Sequence, residues 1–239
     1  MVASITRIKA LVKKESKDLV RNPYVLLPCL LPVALVLMLS NSLGNVQGDV
    51  PNFELLKMGI DFNLIFISVF AISMLIAEEK EKNTLRTLML SAVSPLEFLA
   101  GKAVVIAVLT TIANTIMYLF VGMDIQFLPH FFVWSSLVTV VMILLGSMIG
   151  LLAQNQVATS VLGTPVIVAF LIVPMLAVDS DLAGRFALLL PNHNLELIIV
   201  QLQNGGGYAN LGSNIFTILA WIIVSTLAFC YVYNTKRLD

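Results

Sequence analysis

In the run from Ala77 to Lys102, AEEKEKNTLRTLMLSAVSPLEFLAGK, the ionisable side chains of Glu78, Glu79, Lys80, Glu81, Lys82, Arg86, Glu97 and Lys102 are interleaved with Leu85, Leu88, Met89 and Leu90. That pattern suits polar contacts ringing an apolar plug, which is docking chemistry. The apolar members would be costly to expose on a short helix, so lipid, the chain's own N-terminal helix or a partner protein must cover them. Catalytic patterns are missing elsewhere: the sequence contains no G-x-x-x-x-G-K-[ST] loop, and the Gly101-Lys102 pair lacks its upstream glycine. Any ATP must therefore be hydrolysed by another chain. A G-x-S-x-G elbow is absent too, and no paired aspartates stand where an intramembrane hydrolase or lipid-modifying enzyme needs them. His130, after Pro129, and His193, in the run Pro191 to Asn194, read as solvent-facing turn residues rather than metal ligands. No metal and no cofactor are assigned to this chain. Cys29 and Cys230 sit in apolar runs and read as reduced packing residues.

These residues are carried by a membrane protein. Apolar types make up 59% of the chain and charged types 12%, against about 25% charged in soluble domains. The 14 basic and 14 acidic residues cancel, so no net field points to nucleic acid. Six stretches reach the roughly 20 apolar residues that a crossing requires: 24 to 43, 60 to 78, 100 to 122, 131 to 153, 157 to 177 and 212 to 233. The expected fold is all-α, a single domain over 1–239. It comprises an interfacial helix at 1–22, a six-span bundle at 24–233 and a tail at 234–239. Residues 179 to 203 read as two short helices that do not cross, since a crossing would bury Pro191, Asn192, His193 and Asn194 at depth.

With the N-terminus cytoplasmic, every Lys and Arg except Lys57 and Arg185 falls inside, as the positive-inside rule requires. A seventh span would move Lys236 and Arg237 outside. The first 21 residues lack the apolar core and cleavage site of a signal peptide. They place Ile5, Ile8, Val12 and Leu19 on one helical face, with basic residues around the other, as in helices lying in the membrane interface.

Local signals bound the helices. Asn22-Pro23 reads as an N-cap and first helical position. Ser94, Pro95 and Glu97 read as a capping box that opens span three. Asn83 can cap a short helix from Thr84 to about Val93, making the connection a helical elbow. Gly146 and Gly150 form a GxxxG on span four, which suits internal packing or a dimer contact. Pro28, Pro32, Pro165 and Pro174 favour kinks in spans one and five. Asn63, Asn114, Thr115, Thr139 and Ser160 are scattered through the spans without a charge near any span centre, which argues against an ion-coupled transporter. A path lined in this way suits an amphipathic or hydrophobic cargo such as a peptide, a lipid-like molecule or a drug.

The stretch Glu78, Glu79, Lys80, Glu81, Thr84, Leu85, Ser94, Pro95, Glu97, Gly101 and Lys102, with Arg21-Asn22-Pro23 ahead of span one, resembles the type 2 ABC transporter permeases. The family usually has Gly where this chain has Asn83. The resemblance implies that the elbow is a coupling helix seated in a groove of an ATPase, with Glu78, Glu79, Glu81, Thr84, Leu85, Arg86, Leu88, Met89, Pro95 and Glu97 at or beside the contact. It also implies two cytoplasmic ATP-binding subunits that hold ATP and Mg, a second permease copy or a similar one, membrane lipid as surroundings, and an outward direction. A bacterial plasma membrane is the family's commonest setting. Two other outputs fit the same residues less directly: an immunity or sensing complex against antimicrobial peptides, and a membrane-embedded lipid-modifying enzyme.

Overall fold

In a computed structural model of the chain, residues 2–43, 52–82 and 95–236 are described, and among them all regular structure is helical. Helix α1 spans Val2–Arg21 and α2 spans Pro23–Leu43. Helix α3 runs from Asn52 to Glu81, α4 covers Pro95–Phe120, α5 Leu128–Leu152, and α6 runs from Gln156 to Leu176. Two short helices follow, α7 at Asp181–Ala187 and α8 at Pro191–Gln203, and α9 closes the chain at Gly212–Lys236. Five helices, α3, α4, α5, α6 and α9, are long and apolar enough to cross a membrane; a sixth is added if α1 and α2, bent by 75° at their junction, count as one span. At 13 residues α8 is too short to cross alone, since about 20 are needed.

The chain traverses the bundle between two ends. One end holds Lys82 and Pro95, the stems of the elbow, together with α1 and the last turns of α9, where Tyr233 joins the cluster around Leu11 and Leu19. The opposite end holds the α7–α8 hairpin. Helix α3 occupies the middle and is buried along most of its length, whereas α9 exposes Phe216, Ile223, Val224, Leu227 and Tyr231. Such an apolar exterior is the surface expected of a helix facing lipid or another membrane subunit. Lipid tails are as apolar as leucine, so close packing and internal hydrogen bonds hold the interior together more than exclusion of water does.

Several sequence expectations are refined here. Span two starts at Asn52 rather than at 60, because Phe53, Leu55 and Leu56 continue the apolar face and pack in the core. Lys57 thereby becomes part of the crossing helix instead of a flanking loop, and Asp61 moves from the first turn of the span to well inside it. The Gly146–Gly150 pair packs internally: a Cβ at Gly146 would lie 2.5 Å from Val69 O, and one at Gly150 would lie 2.8 Å from Ser73 O, both on α3. Helix α1 buries Leu11, Glu15 and Leu19, positions spaced by one turn, while Val12 is only half buried. The side chains of Ile5 and Ile8 lie outside the described residues. Cys29 is buried but Cys230 is exposed on α9, so only the first packs inside this chain.

Pro174 acts through the carbonyl it leaves without a helical partner. Pro165 and Pro174 bracket a π-helical segment, Val168–Ile172, in α6. Pro174 has no N–H for the carbonyl four residues earlier, that of Phe170; Asn192 Nδ2 of α8 donates to it at 2.8 Å. Helix α3 also carries a π-helical segment, Leu64–Ala71, directly after Asn63. Asn63 Nδ2 donates to Asn114 Oδ1 at 2.6 Å and Ser68 meets Thr110 at 3.0 Å, so the scattered polar residues of spans two and three form one buried cluster. Thr115 and Thr139 instead donate to carbonyls of their own helices, while Ser160 lines the cleft described next.

Candidate functional site

The charged run that ends α3 does not stand free. Glu79 Oε1 lies 3.3 Å from Lys102 Nζ on α4 and 3.4 Å from Lys14 Nζ on α1. Lys102 in turn meets Glu15 Oε2 of α1 at 2.6 Å, and the two side chains are only 2% and 1% exposed. A buried ion pair of this kind survives because each charge has a close partner; removing one would leave the other stranded. Gly101 is what lets the two helices meet, since a Cβ there would lie 2.9 Å from Leu11 Cβ. The Gly101-Lys102 pair is thus a clasp: the glycine admits α1 and the lysine ties it down.

Glu78 faces the joint between α1 and α2. Asn22 Nδ2 donates to its Oε2 at 3.0 Å, and Lys82 pairs with it from the following turn. Helix α2 opens with the Asn22 carbonyl accepting from Leu26 N at 2.9 Å, so this residue begins one helix with its backbone and binds another with its side chain. The last two members of the run grip the turn between α5 and α6. Lys80 Nζ donates to Leu151 O and Ala153 O, each at 2.7 Å, at the C-terminus of α5. Glu81 Oε2 accepts from Gln156 N at 3.3 Å, at the N-terminus of α6. Both charges complement the helix dipoles they meet.

Four consecutive residues, Glu78 to Glu81, therefore join α1, α2, α4, α5 and α6 to the end of α3. A cleft of about 930 Å³ opens among these elements, lined by Arg21, Glu78, Glu81, Lys82 and Gln156 among others. Pro95 begins α4 and Glu97 lies half buried in its first turn. Thr84, Leu85, Arg86, Leu88 and Met89, the apolar plug and its neighbours, lie outside the described residues, as do Asn83 and Ser94. Reasoning from sequence missed Lys14 and Glu15 as members of the junction. The available signal was Glu15, an acid one turn from Leu11 and Leu19 on the face that α1 buries.

The hairpin end corrects a second reading. The run Pro191 to Asn194 is not a turn: Pro191 opens α8, where its fixed φ and missing N–H are no handicap. Asn192 and Asn194 are consequently buried. Asn194 Nδ2 donates to Leu188 O and Leu190 O at 2.8 and 2.7 Å, and Asn214 Nδ2 of α9 donates to Asn194 Oδ1 at 2.9 Å. His193 is not solvent-facing either; its Nδ1 lies 3.3 Å from Glu196 Oε2. His130 Nδ1 bonds Tyr208 Oη at 2.7 Å, joining the start of α5 to the loop after α8. Replacing Asn192 by Leu keeps the volume but strips the donor from both Asp61 and Phe170 O. Each lost buried hydrogen bond costs about 1–3 kcal/mol, so thermal unfolding of the purified variant is expected at a clearly lower temperature than for wild type.

These features define a polytopic helical membrane protein whose spans converge on one charged junction. The family model of the ABC-2 type transporter matches residues 6–174, which is most of the chain and includes the whole junction. The chain belongs to that family, and is accordingly a permease subunit of an ABC transporter. No curated protein matches it.

Proposed function

We propose that the chain is the transmembrane subunit of an ATP-driven exporter that uses separate ATP-binding subunits, and that it moves an amphipathic or hydrophobic cargo out of the cell. The observation that carries this reading is the junction at Glu78 to Glu81, flanking one stem of the elbow, with Lys102 just beyond the other. A push delivered to the elbow reaches α1, α4, α5 and α6 together, through ion pairs and capped helix ends instead of a flexible loop. In this reading the half-buried carboxylates Glu78 and Glu79 hold the spans to the elbow, and the segment containing Leu85, Arg86, Leu88 and Met89 meets the ATPase. A partner permease would cover the exposed apolar faces of α6 and α9, with lipid over the remainder. The elbow end is cytoplasmic, because it gathers nearly all the Lys and Arg residues.

Affinity purification of the tagged chain in mild detergent should bring down an ATP-binding subunit with vanadate-sensitive hydrolysis. Arg86→Glu with Leu88→Glu should abolish that association while membrane insertion persists; unchanged co-purification by the double variant would refute docking at the elbow. With Cys29 and Cys230 replaced, a membrane-impermeant maleimide should label Asn204→Cys but not Asn83→Cys in intact cells. The reverse pattern would invert the orientation.

A further inference from the structure

Helix α1 presents two rows of side chains on opposite sides. Leu11, Glu15 and Leu19 face inward: the leucines share a buried cluster with Leu99 and Ile106 of α4 and Tyr233 of α9, and Glu15 holds Lys102 at 2.6 Å. Lys9, Lys13, Lys17 and Arg21, two residues out of step with the inward row, are all exposed. At 3.6 residues per turn that offset is about 200°, so the cations stand on the far side of the helix, one per turn over about 18 Å. Among the described residues none of the four enters an ion pair, unlike Lys14, Lys82 and Lys102, which meet Glu79, Glu78 and Glu15. In sequence the helix sets six basic residues against two acids, Glu15 and Asp18, and Glu15 is spent on Lys102.

The direction of the row follows from the bend at Asn22-Pro23. Helix α1 leaves α2 at 75°, so with α2 standing through the bilayer α1 runs close to the membrane plane at the elbow end. Leu11 and Leu19 pack on the bundle, which departs from the usual interfacial helix whose apolar face dips into the acyl boundary. What α1 offers its surroundings is therefore charge. A protein groove matches that poorly, because the centres of protein interfaces are apolar or aromatic and depleted in lysine. Three of the four cations are lysines, and among the described side chains of α1 the only large apolar one exposed is Val20, at 65%. Headgroup phosphates match it well: they recur along the whole helix, demand no fixed shape, and attract each Lys or Arg near the surface.

We propose that the row Lys9, Lys13, Lys17 and Arg21 binds the headgroups of anionic phospholipids, and that this contact, held by charge rather than by apolar burial, pins α1 along the membrane surface. Arg21 ends the row and also lines the cleft at the junction, so the bound lipid reaches the edge of that site. The Glu15–Lys102 clasp then ties the pinned helix to α4. In the cell this rests on the elbow end being cytoplasmic, since the cytoplasmic leaflet carries the anionic lipid that such basic segments meet.

The test uses the full chain in lipid nanodiscs, with a fluorophore on Ser16→Cys and with Cys29 and Cys230 replaced. Quenching is compared between phosphatidylglycerol and phosphatidylcholine that carry the same spin label on the acyl chain beside the glycerol. At low salt phosphatidylglycerol should be enriched at α1 by at least about fivefold, the effect of one fully engaged cation. The preference should fade near 1 M salt, where the Debye length is about 3 Å. Lys9→Gln, Lys13→Gln, Lys17→Gln and Arg21→Gln combined should abolish it without shifting the melting temperature in phosphatidylcholine discs, whereas Arg in place of the three lysines should keep it. Equal quenching by the two lipids in wild type, or a preference that survives the Gln variant, would overturn the proposal. Equal quenching in wild type together with loss of the ATP-binding subunit from the Gln variant would assign the row to that protein instead. Both leaflets of the disc hold the same lipids, so the outcome does not depend on which end is cytoplasmic; the maleimide pattern tests that separately. Should the fourfold variant fail to fold, Lys13→Gln with Lys17→Gln should cut the preference to less than half, and an undiminished preference would overturn the proposal equally.

Discussion

Lys102→Ala is expected to detach α1 from the bundle and to lower stability by about 3–5 kcal/mol, the range for breaking a buried ion pair from one side. The reason is the state of what remains: Glu15, 1% exposed, would lose its 2.6 Å partner in a buried position. Lys14, 3.4 Å from both Glu15 and Glu79, can take up part of the loss, which places the result toward the lower limit. The measurement is thermal unfolding in detergent, paired with limited proteolysis of residues 2–21, which should become the first site of cleavage. Lys102→Met combined with Glu15→Leu should recover most of the lost stability, because it removes both charges and keeps the volume. If the double variant melts as low as Lys102→Ala, packing rather than charge holds the helix. An unchanged melting temperature for Lys102→Ala alone would contradict the clasp.

Gly146→Leu should be at least as damaging, for a steric reason. Its Cβ would fall 2.5 Å from Val69 O and 2.8 Å from Val69 Cα, so the obstacle is the backbone of α3 and no side-chain rotation relieves it. Overpacking by a single methylene costs about 1–3 kcal/mol, and here a whole isobutyl group must enter between two packed helices. The expected result is loss of monodisperse protein on size-exclusion chromatography. Gly163→Ala offers a graded comparison, because its Cβ meets the ring of Phe70 at 2.7 Å, a side chain with some freedom to move. Gly212→Ala, with nothing within 4 Å, should behave as wild type. Equal tolerance at Gly146 and Gly212 would mean that α3 and α5 do not pack as closely as the structure has them.

The two charged sites explain why a chain with so few ionisable residues keeps them clustered. In a bundle surrounded by lipid, an ion pair or a capped helix end cannot be replaced by water, so each charge must be answered inside the protein. At the elbow end the answers come from neighbouring helices and make the junction stiff. At the hairpin end Lys57 meets Glu196 and Asn192 meets Asp61, which ties α8 to α3.

The sequence by itself determined the helical class, the existence of five of the crossing helices and the family. These follow from local quantities: the length of apolar runs, the placement of Lys and Arg, Pro at helix starts, and the motif from Glu78 to Lys102. The two short helices after residue 179 were legible for the same reason, since polar residues in the run Pro191 to Asn194 argued against a crossing. Partners distant in sequence were not legible. Glu15 meets Lys102, Asn22 meets Glu78, and Asn192 meets both Asp61 and the carbonyl left open by Pro174. Each residue looked like an ordinary surface charge, helix cap or turn residue in its own segment. Only the packing of α1 against α4 at Gly101, of α5 against α3 at Gly146, and of α8 against α3 decided which of them are buried. Burial is what drew Asp61 and Glu196 into the joint between α3 and α8.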